Sequence, residues 1–279
     1  MSNAKVSVRD AVRAAADFAR SAVRQAGGVL CLVLVLNLAG GMTLRTPVGF
    51  FVGVAGFLAG VMANGALLRL AFADEHPGDP EFRLGPQGVQ WGRTELRLLG
   101  AMALLALFLV LAGLFAFLIA VLVTVAMMVT ADSHAPIPSD YSQLPVNVQL
   151  TLSVLVIVFL LAVAWGLIRL CLYPAATVTE KRVQLFSTWG LTRGHFWRIL
   201  LAGAVIVGPF FLLFMLAESV RTPVVTSVLG VLVLAVSAFV VTPMSVGLLA
   251  HLYRRLRRAP APAAAPPTSS ALAGPWGSV

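Results

Sequence analysis

LLGAMALLALFLVLAGLFAFLIAVLVTVAMMVTA, residues 98–131, carries no charged side chain from end to end. At ~1.5 Å per residue, a helix of this length exceeds what one perpendicular crossing of a ~30 Å hydrocarbon core requires. No polar turn interrupts it, and dividing it into two crossings would invert the charge bias of everything downstream. It reads as one long, tilted or protruding helix, with Gly113 as the place for a bend. A chain of 279 residues that is 59% hydrophobic and 11% charged cannot bury such runs in a water-soluble core. Helices cross a bilayer because they satisfy their backbone hydrogen bonds internally, whereas a β-barrel would show short alternating segments. The class is therefore an all-α integral membrane protein.

Outward from this run, the apolar pattern gives six transmembrane spans arranged as three hairpins, at about 28–44, 48–72, 98–130, 147–172, 196–217 and 223–253, within one membrane domain over 28–253. Residues 1–27 are too polar to span. Lys5, Arg9, Arg13, Arg20 and Arg24 recur opposite Val8, Val12, Ala15, Ala19, Ala22 and Ala26, the pattern of an amphipathic interfacial helix. Ser7 followed by Asp10 resembles a capping box, and Asp17 has Arg13 and Arg20 at helical spacing. Gly27-Gly28 provides the turn into the bilayer. The long polar region, with a second apolar run close behind, favours an uncleaved first span over a signal peptide. Residues 254–279 begin basic and continue from Ala259 as an Ala/Pro/Ser-rich segment expected to be disordered.

Within the second span, Gly49, Gly53, Gly56, Gly60 and Ala63 alternate at spacings of four and three, a small-residue stripe for close helix packing or for a lipid tail. Asn37 and Asn64 sit at different depths in this hairpin, so each needs a partner other than the other. Gly208-Pro209 and Thr242-Pro243 predict kinks in spans five and six, because proline removes a helix hydrogen bond. No acidic residue lies near either kink, as an ion-coupled transporter would require.

Charge sets the orientation. Of the 20 Lys and Arg residues, only Arg45 and Arg221 fall on the side opposite the N-terminus. That bias predicts cytoplasmic N- and C-termini. The loop from Asp132 to Val146, without Lys or Arg, is then extracytoplasmic. The formal net charge of +9 belongs to one membrane face, where anionic headgroups attract it, and needs no nucleic-acid partner. Asp74, Glu75, His76, Asp79 and Glu81 form an acidic surface loop rich in Pro and Gly, without the spacing of a metal site. No metal or cofactor is expected. Cys31 and Cys171 fall inside apolar runs, where packing is the natural reading. Downstream of the acidic loop, Thr94 is a candidate N-cap for span three.

The connector between spans four and five, YPAATVTEKRVQLFSTWGLTRGHFWRIL over residues 173–200, interleaves aromatic and basic side chains throughout. A short interfacial helix is expected over 178–189, with Val178, Leu185, Phe186 and Trp189 on one face and Glu180, Gln184, Ser187 and Thr188 on the other; Gly190 and Gly194 then permit turns. The endings LLRLAF, LIRLCL and LAHLYR place Arg69, Arg169 and His251 alike. Three copies of one hairpin would give this pattern, with the cations in a ring around lipid phosphate, and so would any set of interfacial helix ends. The candidate lipid- or partner-binding residues are Arg69, Arg169, Glu180, Arg182, Trp189, Arg193, Trp197 and Arg198.

Pro174-Ala175, Glu180 and FSTWGLTRGHFWRI from Phe186 to Ile199 resemble the membrane domain of bacterial glycerophosphodiester phosphodiesterases and of related stand-alone six-helix inner-membrane proteins. The resemblance is most specific over residues 166–200. It implies the membrane part of that family without the soluble domain that holds its catalytic carboxylates and metal ligands, and it brings no established activity.

Two function classes follow: a non-enzymatic membrane protein that binds anionic lipid, a membrane-protein partner or a second copy of itself at its basic face, in envelope or lipid homeostasis; or a transporter, flippase or facilitator of a small or lipidic substrate. The first is preferred, because Glu218 is the one acid near a span, at its outer end. His76, His134, His195 and His251 are scattered, and no HExxH or GxSxG motif supports an enzyme.

Overall fold

The computed structural model describes residues 7–43, 46–130, 145–192, 194–219 and 222–258, and these contain helices and turns but no strand. The stretch 132–144, the segment from 259, Arg45, Arg193 and Arg221 lie outside the described residues, as do the expectations resting on them. In chain order the helices are α1 (Val8–Gln25), α2 (Gly27–Thr43), α3 (Pro47–Phe72), α4 (Arg93–Thr130), α5 (Val146–Leu170), α6 (Tyr173–Thr179), α7 (Thr188–Leu191), α8 (Phe196–Ser219), α9 (Pro223–Val236) and α10 (Thr242–Arg258).

Among the described residues, five helical stretches are long and apolar enough to cross a membrane, and a sixth results if α1 and α2, bent by 86° at Ala26, are taken together. At ~1.5 Å per residue, the 17 residues of α2 alone fall short of a ~30 Å core. The 38-residue α4 runs unbroken through Gly113. Its start is fixed at Gly92, whose N–H donates to Glu95 Oε2 at 2.9 Å, the reciprocal half of a capping box, so Gly92 and not Thr94 is the N-cap. Ser7 caps α1 by accepting from Asp10 N at 3.4 Å, and Thr46 caps α3 by accepting from Gly49 N at 3.3 Å, with Pro47 in the first turn.

The buried core sits at the charged end of the bundle. In the most apolar windows of α4 and α5 no residue is buried, whereas Leu67, Leu68, Phe72, Leu98, Leu172, Ala175, Leu252 and Tyr253 form one buried cluster. The physical reason is the solvent. In lipid an apolar side chain gains nothing by leaving its surroundings, while near water the same side chain must be covered. α1 takes part in this cover. Ala11, Ala15, Ala22 and Ala26 are fully buried, and α1 packs on α10 and α8. Its small face therefore meets protein. The approach is close at Gly247, where an added Cβ would come within 2.8 Å of the Phe18 ring.

The small-residue stripe of α3 divides. Gly49, Gly56 and Ala63 are buried, with Gly56 against Leu36 and Asn37 of α2, while Gly53 and Gly60 face open space. Asn37 and Asn64 do not pair. Each amide donates to its own helix, to Val33 O at 2.8 Å and to Gly60 O at 2.9 Å. Pro209 is accommodated inside α8, whereas the break before Pro243 takes the form of a π-helical turn, Ser237–Val241. The wider turn makes room for the proline ring, and the Ser237 carbonyl accepts both the Thr242 N–H and, at 2.9 Å, Thr242 Oγ1.

The helix expected over 178–189 does not form. α6 stops at Thr179, Lys181 takes a left-handed conformation (φ 54°), and the chain then runs without helix to α7. Local hydrogen bonding explains the stop: Thr177 Oγ1 accepts from Gln184 N at 3.3 Å, folding the chain back. Gln184 and Thr188, expected on a solvated face, are buried in consequence. Gly194 turns the chain with φ 85°, while Gly190 stays within α7.

Candidate functional site

Trp165 and Arg169 stand one turn apart at the end of α5, a spacing that places them on the same helix face. α7 brings Trp189 against both of them. The Arg169 guanidinium carbon lies 5.1 Å from the Trp165 ring centre and 5.7 Å from that of Trp189, and the two rings meet edge-on at 5.1 Å. Each such contact contributes ~0.5–2 kcal/mol depending on desolvation. α7 is held there by the fully buried Thr192, whose hydroxyl donates to the Arg169 carbonyl at 3.3 Å, and Arg169 Nη1 reaches the Trp189 carbonyl at 3.5 Å. Arg169 Nε is shielded from solvent and makes no hydrogen bond. A cation is thus fixed by aromatic rings and left incompletely satisfied.

Behind this cluster the connector is anchored at several points. Tyr253 of α10 donates to Glu180 Oε1 at 3.2 Å and accepts from Thr179 Oγ1 at 3.2 Å, while Gln184 Nε2 donates to Glu180 Oε2 at 2.7 Å. Lys181 pairs with Asp79 at 2.5 Å, tying the connector to the acidic loop. The hydrogen bond from Lys181, then that from the backbone N–H of Glu81, holds the Asp79 carboxyl below its ordinary value. That loop is itself packed: Phe82 is buried and stacks on His76, and Glu81 and Glu75 pair with Arg97 and Arg254. These acids are committed to basic partners.

The expected site residues separate accordingly. Arg169 and Trp189 come together. Glu180 is an internal anchor, and Arg182, paired with it at 3.2 Å, extends into solvent. Trp197 is 75% exposed in the first turn of α8, beside half-buried Arg198. Arg193 lies outside the described residues. Arg69 is 2% exposed and pairs with Glu95, itself fully buried, so it meets no headgroup. His251 lines a separate cleft, so the three matched helix endings have three different surroundings rather than forming one ring.

Trp165, Thr192 and Glu95 escaped the sequence reading. The four-residue step from Trp165 to Arg169 could have been noticed; the pairing of Arg69 with Glu95, 26 residues apart, has no local signal. No family model, characterised protein or solved structure matches the chain.

Proposed function

We propose that this is a non-enzymatic, six-span protein of the bacterial inner membrane, with both termini cytoplasmic, that binds anionic lipid at the Trp165–Arg169–Trp189 cluster. One observation carries the reading: a guanidinium packed against two indoles at the end of a helix whose apolar surface is uncovered by protein. Indoles favour the headgroup level, and a guanidinium held against them suits phosphate. Exposed Trp197 and Arg182 widen the same surface. The gathering of the loop 73–92, the connector and the end of α10 at one pole supports a common side for these basic segments. The pairing of Glu75, Asp79, Glu81, Glu95 and Glu180 with cations supports a role without acid–base catalysis. The resemblance to the membrane domain of glycerophosphodiester phosphodiesterases fits this role and remains part of the proposal.

The test is lipid retention. Purified protein in nanodiscs of mixed phosphatidylglycerol and phosphatidylcholine is released into native mass spectrometry, and the retained lipid is counted for the wild type, Arg169→Gln and Trp189→Ala. Selective retention of phosphatidylglycerol, reduced roughly five- to tenfold by either change, is the expected result, corresponding to about 1–1.4 kcal/mol. Retention that ignores headgroup charge, or that survives both changes, refutes it.

A further inference from the structure

On the side of the bundle where α10 meets the Ala73–Glu75 turn, a polar cleft of about 450 Å³ is lined by Asp74, Glu75, His251, Arg254, Arg255 and Arg258. It shares no residue with the Trp165–Arg169–Trp189 cluster. Four of the lining residues recur at i, i+3, i+4 and i+7 on α10, so a single helix face supplies three guanidiniums and an imidazole.

Their commitments differ. Arg254 is spoken for: it lies 5.2 Å over the Phe72 ring, donates to the Ala71 carbonyl, and its Nε is 2.6 Å from Glu75 Oε1. Arg258 reaches the same carboxylate oxygen only at 3.8 Å and is largely exposed. Arg255 has no hydrogen-bond or ion-pair partner among the described residues. His251 Nε2 is shut off from solvent and bonds to nothing. Glu75 is thus neutralised by Arg254, and what remains for a ligand is Arg255 and the loosely held Arg258, with Asp74 as the opposing charge.

We propose that this cleft binds a phosphate group, with Arg255 and Arg258 as the charged donors. Guanidiniums on one helix face suit a tetrahedral oxyanion, because each offers paired N–H groups in a fixed plane. The volume exceeds that of a bare phosphate ion and has room for the remainder of an ester. Asp74 sets the limit on charge: it repels the anion, so its removal strengthens binding. The phosphate has two available sources, a lipid headgroup entering from the bilayer and a free phosphate compound in the aqueous phase.

The experiment uses the full chain in nanodiscs and two probes. Inorganic phosphate is titrated against protein in phosphatidylcholine discs by ³¹P NMR line broadening, and retained phosphatidylglycerol is measured by native mass spectrometry in discs that contain it. Arg255→Gln is expected to weaken binding at least tenfold in whichever arm reports the physiological source, Arg255→Lys to keep most of it, and Asp74→Asn to tighten it several-fold. The lipid arm is read in the Arg169→Gln background, so that lipid held at the other cluster does not enter the comparison. A phosphate signal lost in Arg255→Gln assigns the site to a soluble phosphate; lipid retention lost in Arg255→Gln assigns it to a headgroup. Binding indifferent to Arg255→Gln in both arms overturns the proposal. Should Arg255→Gln fail to fold, Asp74→Asn decides, and unchanged affinity in that variant overturns it equally.

Discussion

Glu95 accepts two different donors, Arg69 Nη2 on one oxygen and the Gly92 N–H at 2.9 Å on the other, and neither Arg69 nor Glu95 reaches solvent. Glu95→Gln leaves one acceptor oxygen for two donors. Whichever way the amide turns, its NH₂ group faces an N–H. Two charges 4 Å apart attract by about 4 kcal/mol at an effective dielectric constant near 20. Breaking a buried pair from one side costs ~3–5 kcal/mol, because the surviving charge keeps its desolvation penalty. Replacing both partners by apolar residues of similar volume removes that penalty along with the attraction. Arg69→Met and Glu95→Leu should therefore each destabilise by ~3–5 kcal/mol, and the double variant by far less than the sum. The assay is reversible unfolding in mixed micelles by SDS titration, followed through helicity. Single variants that cost less than ~1 kcal/mol, or a cycle additive within ~0.5 kcal/mol, would show that the pair is not the buried unit described here.

Other expectations follow from single contacts. Gly65→Ala drives a methyl into the Glu95 carboxylate, whose Cδ would stand 3.1 Å away, and should cost ~1–3 kcal/mol in the same unfolding assay. Gly247→Ala pushes against Phe18 and should loosen α1 from α10, read as faster amide exchange over Val8–Gln25 with the spans unaffected. Tyr253→Phe removes the hydroxyl shared by Glu180 and Thr179, at about 1 kcal/mol, and should raise proteolysis in the connector. For Asp79, a lowered carboxyl contributes stability that is complete above its ordinary value of 3.8 and is lost as pH falls through the lowered one. The Lys181 link should thus weaken only in acid below about pH 4, and Lys181→Met should return the Asp79 titration, followed by ¹³C NMR, toward its ordinary range.

What the sequence determined by itself is the all-helical class and the placement of the long apolar helices. Hydrophobicity over residues 98–131 needs no partner to be read, because the bilayer demands long apolar helices whatever they pack against, and α4 forms over that run as far as Thr130. The prolines marked the interrupted last span for the same local reason. Tertiary structure decided which charges are available. Arg69 and Arg169 end their spans in nearly the same words, yet one is buried on Glu95 and the other packs against Trp165 and Trp189. The difference comes from the elements beside them: the entry of α4 in the first case, the α7 turn in the second. A helical pattern over 178–189 was equally misleading, since Thr177 and a left-handed Lys181 redirect the chain and bury Gln184 and Thr188. Periodicity reports the face a helix would present; only the packed neighbours determine whether that helix forms and whether its charges meet water, lipid or each other.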